Sequence, residues 1–307
     1  MPRPTAFTAG RVGKFSFLMH GASYLIATPP GAQIRRVLQM LEGDVWVAVR
    51  AARSGADIVQ SGFFEPLDTD LKGVVDPVTQ VDRDAEVAIR SVIASHFPED
   101  SILGEEEGGE DWRSKRVWIV DPLDGTVNYI HRIPHVAVSI ALWDNGRPLV
   151  GVIIDVARND EYVAVESEGA SVNGTPIHVS ETAQLGDSLV VTGFPYDRRE
   201  HAGAYLKVVE EVMLLSRGTR RLGAAALDLA WVASGRFDAY WEHGGKFGVK
   251  PWDLAAGMLL VTEAGGQFTD HVGKTNLLEG PVFVASNGKV HDELRSVVAL
   301  HMPEHLL

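Results

Sequence analysis

Asp121 and Asp124 stand three residues apart in the run Val117-Trp118-Ile119-Val120-Asp121-Pro122-Leu123-Asp124-Gly125-Thr126. The four bulky apolar residues read as a buried strand. Pro122 fixes its own φ and holds Asp121 in extended backbone, so the strand is expected to end at Asp121 with that carboxylate turned outward. Gly125 is free to take an unusual backbone angle. Two carboxylates and the Leu123 carbonyl then converge on one point. An oxygen-only set of that kind suits a hard cation such as Mg²⁺. Taken alone, the same residues also fit a tight turn with a helix cap.

Asp82, Glu105 and Asp253 share this format, each lying at an element end beside Gly or Pro or in a capping pattern. Each has a plain structural explanation. Asp82 fits a helix cap, Glu105 is one of three consecutive glutamates, and Asp253 suits the positive end of a helix dipole. Those explanations do not account for Trp118 and Trp252 so close to the acids. Large apolar neighbours point to carboxylates on a cleft floor, where a buried charge needs a cation.

The elements that must position these residues follow from periodicity. Residues 28–36 read as a linker and 45–63 as a helix, followed by a loop over 66–73. Thr79 and Asp82 form a capping-box pattern that opens a helix running to His96. Strands are expected at 102–103, 136–143, 149–156, 162–165, 188–192, 237–241 and 282–285. Asp144-Asn145-Gly146 is a hairpin signal. Helices are expected at 201–216, 223–234, 251–264 and 292–300, with Gly265-Gly266 stopping the third. Hairpins mixed with helices imply layered sheets and helices.

Composition narrows the function. The chain has 307 residues, no cysteine and a formal charge of −13. Disulfides and thiolate metal sites are excluded. An acidic surface argues against nucleic acid as the main ligand. No apolar run approaches the roughly 20 residues of a membrane span, so no membrane role is expected. The apolar stretch from Phe15 to Ala27 has the outline of a signal peptide, but His20, Gly21 and Ser23 interrupt it. A loosely ordered extension over 1–40 and a cytoplasmic protein are the expectation.

Four separate motifs together resemble the inositol monophosphatase family of Mg²⁺-dependent, lithium-sensitive phosphatases. They are Asp76-Pro77-Val78-Thr79-Gln80-Val81-Asp82, Gly104-Glu105-Glu106, Trp118 through Tyr129, and Trp252-Asp253-Leu254-Ala255-Ala256-Gly257 with Glu263-Ala264-Gly265-Gly266. Their order and spacing make the resemblance specific. It implies an α/β protein of the layered αβαβα sandwich type, with one phosphatase domain over 41–307 whose two lobes meet near 186. It also implies a homodimer.

Carried over residue by residue, the resemblance makes Glu105, Asp121 and the Leu123 carbonyl ligands of a first Mg²⁺. Asp121, Asp124 and Asp253 become ligands of a second, in a site of two or three ions. Asp82 and Thr126, with Glu105, form the catalytic group around the attacking water. Gly125, Thr126 and Asp124 face the substrate phosphate, and Gly223, Ala225 and Glu242 its polyol hydroxyls. The implied substrate is a small polyol or sugar phosphate, inositol 1-phosphate first. Fructose 1,6-bisphosphate, 3′-phosphoadenosine 5′-phosphate and histidinol phosphate are substrates of relatives with the same metal motifs. A binding role in transcription antitermination is the alternative of another class. The segment 243–250 is longer than the family's usual connection and is expected to border the pocket, with Lys246 and Lys250 facing it or solvent. Lys72 resembles a family lysine near the metals. His131 and His135 are given no catalytic role.

Overall fold

The computed structural model describes residues 31–65, 69–71, 77–275 and 278–302, with side chains from residue 43 onward except at 69–71, 77 and 78. The chain clusters into two compact units, 1–38 and 39–307. Of the first, the described part is the opening of helix α1 (Gly31–Gly62). Of the loosely ordered extension expected over 1–40, residues 1–30 lie outside the described residues, as does Lys72, and 31–40 are helical instead. The linker expected at 28–36 is overturned from Gly31 onward. Pro29 and Pro30 precede a run of good helix formers, and proline is favoured at the start of a helix rather than within it.

A ribbon of β1 (Thr69–Leu71) and β2 (Pro77–Thr79) leads into α2 (Gln80–His96). Then follow β3 (Ser101–Gly104), β4 (Gly108–Gly109), β5 (Val117–Asp124) and α3 (Thr126–Ile130). A meander of β6 (Ala137–Asp144), β7 (Arg147–Asp155), β8 (Asp160–Val165), β9 (Gly169–Val172) and β10 (Thr175–Pro176) completes an eight-stranded sheet. Its order is β10-β9-β8-β7-β6-β5-β3-β4. The remainder is β11 (Leu189–Thr192), α4 (Arg198–Leu215), β12 (Gly218–Arg220), α5 (Ala225–Ala233), β13 (Ala239–His243), α6 (Pro251–Glu263), β14 (Gln267–Asp270), β15 (Val282–Ser286) and α7 (His291–His301). These strands form a five-stranded sheet ordered β12-β11-β13-β15-β14.

Side-chain alternation sets the layers. Along β5, Val117 and Ile119 pack on one face with α5 and α6, while Trp118 and Val120 pack on the other with α1 and α2. Tyr240 and Phe283 of the smaller sheet close on α5 and α6 from their far side. Trp241 and Val284 point away, onto Tyr205 and Val208 of α4 and Leu294 of α7. The sequence of layers is therefore helices, eight-stranded sheet, helices, five-stranded sheet, helices. α5 and α6 are buried on both sides, so they are apolar nearly all round, as their sequences require.

Two details of the expected core are corrected. Strand β5 does not stop at Asp121. A register shift against β6 between Asp121 and Asp124 absorbs Pro122 and Leu123, and pairing resumes at Asp124 with Ala137. A bulge tolerates the missing proline N–H and re-aims side chains without ending the strand. Asp121 is consequently 1% exposed, not turned to solvent. Trp118 lies on the opposite face of β5 and donates its Nε1–H to Asp100 (3.0 Å), so it does not flank the acids.

Candidate active site

The bulge in β5 is what gathers the acids. It brings Asp121 and Asp124 to the same side of the sheet, where α6 presents Asp253. One ligand oxygen from each of these three lies within 4.8 Å of the others. Asp253 is the third residue of α6 and accepts the Lys250 N–H (2.6 Å), completing a capping box. Asp253 thus lies in the first turn of its helix, and the same carboxylate also faces the cluster. Asp124 accepts N–H groups from Ala225 (3.1 Å), Ala226 (2.8 Å) and Leu227 (3.2 Å) at the start of α5. Asp121 Oδ1 accepts the Leu123 N–H (3.0 Å).

Asp121 Oδ2 is buried with no hydrogen-bond partner. Burial, reinforced by Glu105, Asp124 and Asp253, drives the Asp121 pKa well above the usual carboxylate range. Burial likewise pushes Asp124 up to about 8 against the pull of two α5 N–H groups, and Asp253 up to about 7. A buried carboxylate oxygen with no donor, ringed by further acids, is costly unless a cation completes it. All the described ligand atoms here are oxygens. The residues present therefore fit Mg²⁺, as the family resemblance implies.

Thr79 and Asp82 cap α2 as expected. Asp82 Oδ2 accepts the Thr79 N–H (2.8 Å) and the Thr79 hydroxyl (2.5 Å). Its other oxygen, Oδ1, lies 3.0 Å from the Thr126 hydroxyl, which also reaches the Leu123 carbonyl (3.2 Å). Between these residues stands Gly125, the N-cap of α3, with φ +90°. A Cβ there would meet the His135 carbonyl at 3.0 Å.

Glu105, Asp121, Leu123, Asp124, Gly125, Thr126, Gly223, Ala225, Glu242 and Asp253 all line one cleft. Asp82 joins it through Thr126. Ala225 differs from the expectation in one respect, because its N–H is engaged by Asp124. Glu242 accepts the Tyr240 hydroxyl (2.9 Å), and burial raises its pKa to about 8. The segment 243–250 does border the cleft, through Phe247, Gly248 and Val249. Its Phe247 carbonyl accepts the N–H of Tyr196, another residue lining the cleft (2.8 Å). The Lys250 ammonium bends back onto the carbonyls of Gly245 and Lys246, both at 2.6 Å.

Several residues of this site are given no role by the sequence. Asn128 donates to the carbonyls of His135 and Leu222, both at 2.8 Å, and so fixes the turn carrying Gly223. His135 contacts Asp228 at 3.0 Å, and burial lowers its pKa to about 4, which keeps it neutral. Arg198 and Arg221 also line the cleft. No spacing rule links residue 128 to 222 or 135 to 228; those partners meet only through the fold.

The profile of the inositol monophosphatase family matches residues 41–302. The Nus factor SuhB of Pseudomonas aeruginosa is 39% identical over 267 residues, 85% of this chain and 97% of that protein. The Nus factor SuhB of Escherichia coli is 40% identical over 247 residues, 80% of this chain and 91% of that protein. The inositol monophosphatase structure from Anabaena matches with a TM-score of 0.76 at 36% identity, covering 87% of this chain and 99% of that one. The Thermotoga maritima IMPase structure matches with a TM-score of 0.75 at 33% identity, covering 89% and 100%. No described helix is long and apolar enough to cross a membrane. A family profile over most of the chain, with relatives of this identity, means that the chain belongs to the inositol monophosphatase family.

Proposed function

We propose that the protein is a Mg²⁺-dependent phosphomonoesterase acting on a small polyol or sugar phosphate, inositol 1-phosphate first. The observation that carries this reading is the orphaned Asp121 Oδ2 in a ring of carboxylates. Glu105, Asp121 and the Leu123 carbonyl would hold one ion, and Asp121, Asp124 and Asp253 would hold a second. When bound, Mg²⁺ supplies water activation on one side of phosphorus and charge compensation on the other.

The chain's own residues do the rest. Asp82 is held rigid by two donors on Oδ2, and its Oδ1 faces the Thr126 hydroxyl. Thr126 Oγ1 thereby orients a water for attack, and its proton passes toward Asp82. The new bond joins that water oxygen to phosphorus while the phosphorus–oxygen ester bond breaks, and the ester oxygen leaves with its electron pair and takes up a proton from solvent water. The N–H groups of Gly125 and Thr126 face the phosphate oxygens. Glu242, with Gly223 and Ala225 beside it, meets the hydroxyls of the leaving group. Its raised pKa lets it donate or accept near neutral pH.

The test is a phosphate-release panel over inositol 1-phosphate, fructose 1,6-bisphosphate, 3′-phosphoadenosine 5′-phosphate and histidinol phosphate. Turnover of inositol 1-phosphate that vanishes in EDTA and returns with Mg²⁺ is expected. Equal turnover in EDTA would overturn the metal assignment, and preference for another ester would move the substrate within the family.

The relatives named as Nus factors favour a second reading, in which the protein is also a binding partner in transcription antitermination. Its net charge of −13 favours contact with a protein component over RNA. Co-purification with RNA polymerase from its own host, unchanged in a catalytically silent variant, would support that role. Absence of any complex would remove it.

A further inference from the structure

Glu86 has no place in the reaction above, yet it is one of the most deeply placed charges in the molecule. It is 0% exposed and lies one helical turn after Asp82, on the same face of α2. Its Oε2 accepts the Glu106 N–H (2.7 Å), and its Oε1 accepts the Glu107 N–H (3.1 Å). Arg90, a further turn along, donates Nε–H to Glu86 Oε1 (2.7 Å) and a second N–H to the Gly108 carbonyl (2.7 Å). The two side chains thus clasp the turn between β3 and β4 by its backbone. Glu105 opens that turn, and its own N–H is tied to the Val120 carbonyl of β5 (3.1 Å).

Gly104 shows how close the clasp sits. A Cβ at that position would lie 2.2 Å from Glu86 Oε1 and 2.7 Å from an Arg90 nitrogen. The glycine of Gly104-Glu105-Glu106 is therefore required by Glu86, which presses on the backbone next to Glu105. A buried ion pair serving stability alone needs no particular target. This one fastens the backbone that follows Glu105 and packs against Gly104 before it.

We infer that Glu86, with Arg90 as its counter-charge, is a positioning residue that presets Glu105 for the cation. The inference rests on the reading of Glu105 as a Mg²⁺ ligand. α2 then carries both halves of the arrangement on one rigid face: Asp82 for the water, and Glu86 for the ligand. An ionised carboxylate accepting two backbone N–H groups is a strong, directional anchor. Groups that orient a ligand commonly affect metal affinity by roughly 10–100-fold.

The experiment is titration of the full-length, metal-stripped protein with MgCl₂ by isothermal calorimetry, for the native protein, Glu86→Gln, Glu105→Gln and the double variant. Glu86→Gln is expected to weaken Mg²⁺ binding by roughly tenfold or more. Its cost is expected to disappear in the Glu105→Gln background, because it acts through that side chain. A merely structural role would give additive losses, or affinity within about twofold of native in a folded Glu86→Gln protein, and either result overturns the inference. If Glu86→Gln does not fold, Glu86→Asp takes its place. It keeps the charge and withdraws the carboxylate by one methylene, and the same cycle applies. Asp121→Asn separates the two levels. If the native protein binds no Mg²⁺, the metal-dependent reading fails. If binding is lost in Asp121→Asn but kept in Glu86→Gln, only the role of Glu86 fails.

Discussion

Asp121 carries an ionisable group into a place where ionisation is costly, and its chemistry should follow from that conflict. Asp121→Asn is expected to abolish phosphate release while leaving the fold intact, since the amide fills the same volume without the charge two cations need. In EDTA near neutral pH the variant should melt no lower than the native protein, because burial already favours an uncharged group at this position. Phosphate assays and circular-dichroism melts check both halves, and native-like turnover would contradict the assignment. The same conflict sets a pH dependence. Asp124 and Glu242 have pKa values raised to about 8 and Asp253 to about 7, against about 4 in the unfolded chain. The folded state then binds more protons than the unfolded state between these limits, so these groups make stability fall as pH rises. His135 and His291, lowered to about 4 from about 6.5, work in the opposite direction below pH 6.5 and are silent above it. In EDTA, stability should therefore fall between about pH 6.5 and 8. Added Mg²⁺ should restore more stability at pH 8 than at pH 6.5. Thermal melts at both pH values decide it, and a metal-free protein that stabilises over this window would refute the burial argument.

At the scale of single elements, Gly125 joins a strand to a helix at φ +90° with a carbonyl 3.0 Å from where a Cβ would sit. Gly125→Ala is expected to cost about 1–2 kcal/mol from the left-handed backbone alone. It should lower turnover by more than that loss of stability explains, because Thr126 shifts with it. Comparing the melting temperature with kcat at saturating Mg²⁺ tests this, and unchanged values of both would show the turn to be permissive. Elements of this kind were read well where the signal is local. The Thr79–Asp82 capping box, the Asp144-Asn145-Gly146 hairpin and the proline that opens α6 are each short-range patterns with one physical solution. Legibility failed where a partner strand decides. β5 continues past Pro122 because β6 offers a register that skips two residues, and nothing in 117–124 announces that partner. Strands such as β1, β12 and β14 are too short for alternation to show, and they exist through pairing. The site followed the same rule. Its motif acids were legible as acids beside element ends, whereas Glu86, Asn128 and Asp228 act through partners distant in sequence.

At the scale of the whole molecule, the described core contacts of α1 begin near Asp44. Its carboxylate pairs with Arg116 (3.0 Å), which also holds Asp100 (2.9 Å). That half-buried guanidinium ties α1, the turn before β3 and the start of β5 together, and its carboxylates keep it charged. The family match likewise starts at 41. A chain beginning at Gln39 is therefore expected to fold and turn over like the full-length protein, with a melting temperature within a few degrees. Insolubility or loss of activity in that shortened chain would show that residues before 39 belong to the working unit.

Asp124 binds three amides of α5, and it is also proposed to hold a cation. One carboxylate thereby connects the ion to the helix layer between the two sheets. When the ion keeps Asp124 ionised, its bonds to Ala226 and Leu227 are charge-assisted; when the ion is absent, a proton near neutral pH weakens them. Deuterium uptake at the amides of Ala226 and Leu227 should accordingly slow on adding Mg²⁺, while amides in the middle of α7 exchange at an unchanged rate. Uniform slowing across both helices would mean that the ion merely stabilises the fold as a whole. Selective slowing would make the first turn of α5 a gauge of site occupancy, readable without any substrate.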